Sequence, residues 1–296
     1  MQKLADQLLV WWRLARGEHA VMTFLAIVAS AVIATGKFSP KFLLFALGPA
    51  LIVLGSFIFN DYLDIASDKA LGRKERPLVS KQVSPRAALY ASAVLFGSGL
   101  AFCWSSNFIG FEIAFAYSLL SVAYSAFLKK LPLLGNAVTA TTYGISFLYG
   151  NAVAANSLAL NDLNLLVVSF GVFAFLAGLG RELLITIRDV EGDKKIGALT
   201  LPMVLGARIT AWLAAFLLLC AIAATYFPIA NNYLSDASLW CYALLVGACD
   251  VLLFYCAHSA LSDSSRQNLS KIRNYSLKAF QIALLGLFLL AVLQFI

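Results

Sequence analysis

Charge is what this sequence has least of. Only 12% of its residues are Asp, Glu, Lys or Arg, against 61% apolar, and its mean hydropathy is +0.84. A soluble domain of 296 residues has too little interior to hide that much apolar surface, so an ordinary water-soluble fold is excluded. The short alternating segments of a membrane β-barrel are missing too. Cysteine is sparse: Cys103, Cys220, Cys241, Cys249 and Cys256 each lie alone in an apolar run with no C-x-x-C spacing. They read as small buried side chains, not as a metal or redox centre. The two histidines, His19 and His258, fall at the ends of apolar runs and read as interfacial residues, not ligands. No cleavable signal peptide is apparent. Residues 1–19 form a charged lead-in with Leu4, Leu8, Trp11, Trp12 and Ala15, suited to the membrane surface.

What is abundant is apolar runs of roughly 18 to 22 residues, the length that crosses a bilayer as a helix. They predict an all-α, polytopic membrane protein: one domain over residues 1–296, a bundle of nine transmembrane helices around a central cavity. The spans fall near 19–36, 40–60, 85–105, 108–128, 134–155, 163–187, 207–227, 237–257 and 275–295, punctuated by Pro40, Pro85, Pro132, Pro202 and Pro228. Lys and Arg gather in alternate connections: before span 1, then after spans 2, 4, 6 and 8. Only Lys37 and Lys41 fall on the other side. That asymmetry places the N-terminus and those loops in the cytoplasm and the C-terminus outside, in a cell membrane. Spans 2 and 6 both end in an i, i+4 carboxylate pair followed by a basic loop with a proline, which suggests two similar helical units.

Six of the fifteen acidic residues belong to those two ends. Asn60, Asp64 and Asp68 are spaced to share one helix face, with Asp61 at its edge; Asp189 and Asp193 form the second pair if the helix continues that far, with Gly192 loosening its end. A lone D-x-x-x-D at a helix end is ordinarily a solvated cap. Two on the same side of a membrane are a different matter, because crowded carboxylates repel unless a cation lies between them, and oxygen donors suit Mg2+ with phosphate oxygens completing its shell. Arg73, Arg76, Lys81 and Lys194 are near enough in sequence to neutralise a diphosphate. A diphosphate at a membrane is most economically a lipid diphosphate, its tail in the bundle. Phe57, Phe59, Tyr62, Tyr117, Tyr124, Tyr143, Phe147 and Tyr149 then become candidates to shield an allylic cation, although any one aromatic is ordinarily packing or lipid contact.

Two other classes compete. A transporter would place its acids mid-span, yet spans 1, 3, 4, 5, 7 and 9 are almost free of charge, with Glu112 and Asp250 as exceptions; a non-catalytic scaffold would tolerate loss of Asp64 or Asp193. Nucleic acid is set aside, since the pI near 9.2 is explained by the loop cations.

The stretch N-D-Y-L-D-I-A-S-D-K-A-L-G-R-K-E-R-P (60–77) resembles the first aspartate-rich motif of the UbiA superfamily of intramembrane prenyltransferases. R-D-V-E-G-D-K-K-I-G-A-L-T-L-P (188–202) resembles the second. The resemblance spans nearly the whole chain and implies a nine-helix prenyltransferase. It makes Asn60, Asp64, Asp68, Asp189 and Asp193 the Mg2+ ligands, the four aspartates being catalytic. Arg73 and Arg76 become caps over the diphosphate, and Lys129 matches a basic residue after helix 4, near Tyr124. Arg16, Tyr143 and Lys194 complete the substrate-binding set. The substrates implied are a polyprenyl diphosphate donor and an acceptor reached through membrane lipids. The second motif, with Arg181-Glu182 upstream, is similar to the archaeal branch that transfers geranylgeranyl to geranylgeranylglyceryl phosphate. That lipid-phosphate acceptor brings a second anion, for which Arg16, Lys129, Lys130 and Arg181 are available. The chain departs from that branch at Ile185-Thr186, where Lys and Asp are usual, and at Arg16-Gly17, where Arg-Pro is. An aromatic acceptor such as 4-hydroxybenzoate is the alternative.

Overall fold

The structure, a computed structural model, describes residues 2–293, and every regular element among them is helical, as predicted. In chain order the helices are α1 (Gln2–Ala15), α2 (Gly17–Thr35), α3 (Lys41–Leu63), α4 (Ile65–Ala70), α5 (Pro85–Ser106), α6 (Phe108–Ala126) and α7 (Leu134–Ala155). There follow α8 (Leu165–Lys195), α9 (Leu201–Leu205), α10 (Ala207–Ala224), α11 (Phe227–Ala230), α12 (Asp236–Ser262) and α13 (Arg266–Leu293). Eight stretches among the described residues are long and apolar enough to cross a membrane: α2, α3, α5, α6, α8, the α10–α11 run, α12 and α13. Exposed Val94, Leu119, Leu244 and Val251 on these helices have nowhere to go but lipid, and the protein is an integral membrane protein.

The nine-span count is met by length but not by composition. The expected fifth span, 134–155, forms the 22-residue α7, yet it does not join the eight, because Asn136, Thr139, Thr141, Thr142, Ser146 and Asn151 dilute its apolarity. Its surroundings explain the difference: α7 buries Gly144, Ser146, Gly150 and Asn151 against protein, where polar groups find partners. The last expected span lies in α13, which begins at Arg266; residues 294–295 lie outside the described residues.

The chain divides into two compact units, Met1–Phe24 with Leu43–Leu128, and Leu25–Phe42 with Lys129–Ile296. In the first, α3 and α5 approach backbone to backbone: a Cβ on Gly99 would lie 2.7 Å from the Gly48 carbonyl oxygen. Ser92 Oγ donates to the Gly55 carbonyl across the same seam (2.9 Å), and Ser121 Oγ donates to Ser56 Oγ from α6 (2.9 Å). Such small-residue seams are how helices associate where lipid removes the hydrophobic drive. Leu14 and Ala15 of α1 pack with Ile58 of α3, Ala88 of α5 and loop residues Leu78 and Val83, while Leu8, Leu9 and Trp12 of α1 face outward. That packing draws the loop of the first aspartate motif onto the lead-in helix.

In the second unit, α7 and α8 meet at Gly144, where a Cβ would be 2.8 Å from the Gly171 carbonyl oxygen. Asn164 caps α8 by accepting from the Leu166 and Val167 N–H groups (3.0 and 3.3 Å), and Asn151 of α7 fixes the same corner through the Asn164 N–H (2.9 Å). The start of the 31-residue α8 is thus pinned to α7, and its far end carries the second motif. Asp250 accepts from Thr225 Oγ1 (2.9 Å), a structural pairing of α12 with the end of α10, and Glu112 is exposed.

Candidate active site

The first motif begins in α3 and crosses a break. Asp64 separates α3 from α4, with φ −86° and ψ 0°. The i to i−4 backbone bonds nonetheless continue through it: Asp64 N–H to Asn60 O at 3.0 Å and Asp68 N–H to Asp64 O at 2.8 Å. The predicted one-face arrangement therefore survives, and Asn60 Nδ2 donates to Asp64 Oδ2 (3.2 Å). The loop after α4 then folds back. Arg73 Nη1 donates to Asp68 Oδ1 (3.0 Å), and Arg76 Nε lies 3.8 Å from Asp68 Oδ2.

The centre of this cluster is a residue that sequence reasoning left at the edge. Asp61 is buried, and Arg76 Nη1 reaches both its carboxylate oxygens at 2.9 Å. Arg16 Nη2 reaches Oδ1 at 3.2 Å. Arg16 comes from the turn between α1 and α2, where it adopts a left-handed φ of +49°, and Gly17 leaves room there for the Trp12 ring. Its guanidinium lies 4.5 Å from the Phe57 ring centroid, and the His19 ring lies tilted against that ring, centroids 5.0 Å apart. Phe57 thus receives a guanidinium on its ring. The clue to Asp61 was its spacing: seven residues before Asp68, it lies within reach of that face of the helix.

The electrostatics follow from this geometry. Burial pushes the Asp68 carboxyl above its ordinary value, Arg76 and Arg73 oppose the shift, and Asp64 and Asp61 add to it. Burial would lower Arg76, but Asp61 and Asp68 outweigh it and raise its pKa.

The second motif is built differently. Helix α8 runs unbroken through Asp189, Gly192 and Asp193 to Lys195, so Gly192 does not loosen it. The turn comes at Gly197 (φ +69°), where the Ala198 N–H returns to the Asp193 carbonyl at 3.0 Å. Arg188 clamps Asp189 through Nε–Oδ1 (2.8 Å) and Nη2–Oδ2 (2.7 Å). Lys194 is exposed beside them. The Leu199 N–H donates to the Lys130 carbonyl (3.1 Å), which ties the turn carrying Lys129 to the strand of chain after α8. Tyr124 sits on α6 in the first unit, and Tyr143 on α7 in the second, edge-on to Phe280 at 5.3 Å. Phe147 and Tyr149 are buried in packing.

The donor set fits Mg2+. Both motifs offer hard amide or carboxylate oxygens, and guanidinium or ammonium groups suited to phosphate flank them. Among the described residues no three His, Cys, Asp or Glu side chains close around one point as in an all-protein cage, so a cation here would complete its shell from phosphate and water.

Helical spans, paired aspartate motifs and arginine clamps define a membrane protein equipped for an anionic, phosphate-bearing substrate. A model of the UbiA prenyltransferase family matches residues 20–292, and the chain belongs to that family. Among curated relatives, it is 34% identical over 241 residues to the digeranylgeranylglyceryl phosphate synthase of Methanoculleus marisnigri, covering 80% of this chain and 84% of the relative. To the enzyme of the same name from Archaeoglobus fulgidus it is 32% identical over 292 residues, 97% of each chain. Its fold matches a solved digeranylgeranylglyceryl phosphate synthase structure (TM-score 0.73, 24% identity, 97% of this chain and 99% of that one). It also matches a UbiA homologue from Archaeoglobus fulgidus bound to GPP and Mg2+ (TM-score 0.64, 17% identity, 94% and 99%).

Proposed function

We propose that this protein transfers a geranylgeranyl group from its diphosphate to geranylgeranylglyceryl phosphate, with Mg2+ as cofactor, releasing diphosphate. Residues 1–296 act as one catalytic domain in this reading, as a single family model over 20–292 supports. The acceptor assignment rests on curated relatives that share about a third of their residues with this chain across most of their length. The donor assignment rests on one observation above all, the clamp in which Arg16 and Arg76 converge on buried Asp61 while Arg73 holds Asp68.

In this reading Asn60, Asp64, Asp68, Asp189 and Asp193 hold the metal. Bound Mg2+ would neutralise the leaving diphosphate and so ease ionisation of the allylic C–O bond. Arg73, Arg76 and Lys194 offer N–H donors to phosphate oxygens. Arg16 and Lys129 serve the acceptor's phosphate, while Tyr124 and Tyr143 line the path of the allylic group. Apolar walls keep water from the cation, which it would quench to an alcohol. The loops after α4 and α8 and the N-terminus lie in the cytoplasm and the C-terminus outside, with α7 crossing as the ninth span. The Lys and Arg asymmetry supports this topology.

The test offers purified protein, geranylgeranyl diphosphate and Mg2+ with geranylgeranylglyceryl phosphate or 4-hydroxybenzoate in parallel, and identifies product by mass. Ether product from the glyceryl phosphate alone is the expected result. Prenylated benzoate alone would move the protein to the aromatic acceptors.

A further inference from the structure

Helix α8 carries a polar stripe that runs beyond the second motif. Glu182, Thr186, Asp189 and Asp193 recur at i, i+4, i+7 and i+11, one face of a continuous helix, with Glu182 about 10 Å along the axis from Asp189. Helix α7 matches it: Asn136 Nδ2 donates to Thr186 Oγ1 (2.7 Å), and about two turns further along the same face Tyr143 OH donates to Glu182 Oε1 (3.4 Å). Arg181 Nη1 also reaches Glu182 Oε1 (2.7 Å) and the Tyr143 hydroxyl (3.2 Å).

The way Glu182 is held differs from Asp61. Both oxygens of Asp61 are occupied by arginines. At Glu182 every bond converges on Oε1, Oε2 accepts none among the described residues, and the side chain keeps 16% exposure beside an Arg181 at 6%. Arg181 Nε is itself buried without a hydrogen-bond partner among the described residues. A carboxylate inside a spanning helix is costly, and one left half open is poorly explained by packing alone.

We propose that Glu182 is the proton acceptor for the acceptor's hydroxyl, held in place by Arg181 and Tyr143. The inference rests on the transfer reading above. When the donor's C1–O bond breaks, its electron pair leaves with diphosphate. The glyceryl oxygen forms the new C–O bond to C1, and its proton passes to Glu182 Oε2. The oxonium formed on attack is strongly acidic, so a carboxylate within reach is base enough.

The experiment measures ether product, geranylgeraniol and diphosphate from the full-length protein with geranylgeranyl diphosphate, Mg2+ and geranylgeranylglyceryl phosphate. In Glu182→Gln, ether formation is expected to fall about 100-fold or more, the usual weight of a positioned base. Diphosphate release should fall far less, and the released prenyl group should appear as geranylgeraniol. Glu182→Asp, which keeps a carboxylate, should recover ether over alcohol. Ether formed by Glu182→Gln at the wild-type rate, or ether and diphosphate falling in parallel in both variants, would overturn the assignment. A wild-type protein that makes no ether would instead overturn the transfer reading, and this inference with it.

Discussion

The two aspartate motifs look alike in sequence but are assembled in opposite ways. The first straddles a helix break, and its order comes from distant residues: Arg16 from the α1–α2 turn, Arg76 from the following loop, and Asp61 between them. The second lies on an unbroken helix, and its clamp is the adjacent Arg188. A motif held by long-range contacts should be sensitive to mutations far from it in sequence; the Arg188–Asp189 clamp, made within one helix, should be less so. The first motif's loop therefore has the better means to respond to a ligand, since its arginines can exchange a carboxylate for a phosphate.

The largest expected effect would erase the comparison altogether. Asp64→Ala and Asp193→Ala should each lower turnover by about 100-fold or more while the protein still folds, because each removes a proposed metal ligand. Steady-state diphosphate release checks this, and retained activity in both would sink the metal assignment.

Asp61→Asn separates the motifs next. It leaves Arg16 and Arg76 without their shared carboxylate, so KM for the donor should rise about tenfold, equivalent to about 1.4 kcal/mol. Arg188→Ala, the corresponding cut in the second motif, should raise it only two- to threefold. Equal effects from the two variants would show that both motifs are held in the same way.

A steric test of the scaffold comes third. Gly144→Ala pushes a methyl against the Gly171 carbonyl and should cost about 1–3 kcal/mol, seen as a lower Tm in detergent. The smallest effect is Phe57→Leu, which removes the ring under Arg16 and should weaken that contact by about 0.5–1 kcal/mol; a double-mutant cycle with Arg16→Lys would measure the coupling.

Much of this was legible in the sequence because lipid imposes strong rules. Spans must be long and apolar, so α2, α3, α5, α6 and α8 lie close to where their runs place them, and the i, i+4 spacing of Asp64 and Asp68 survives even the helix break. Polarity misleads where a helix is buried in protein: α7 has the length of a span, but its Asn136 answers to Thr186 of α8 while Thr139 and Thr141 bond to carbonyls of their own helix. Gly192 looked like a stop, but helix termination needed the left-handed turn at Gly197. Asp61 was placed only at the edge of its face and Glu182 was noted without a role of its own, because each is held by partners that the fold brings in from a distance, Arg16 for one and Tyr143 for the other.

The most direct test of the central claim is diphosphate release from geranylgeranyl diphosphate by the wild-type protein, with Mg2+ present and then chelated. The account predicts release with Mg2+, none after chelation, and recovery on adding Mg2+ back. Release that persists undiminished without the cation would contradict it.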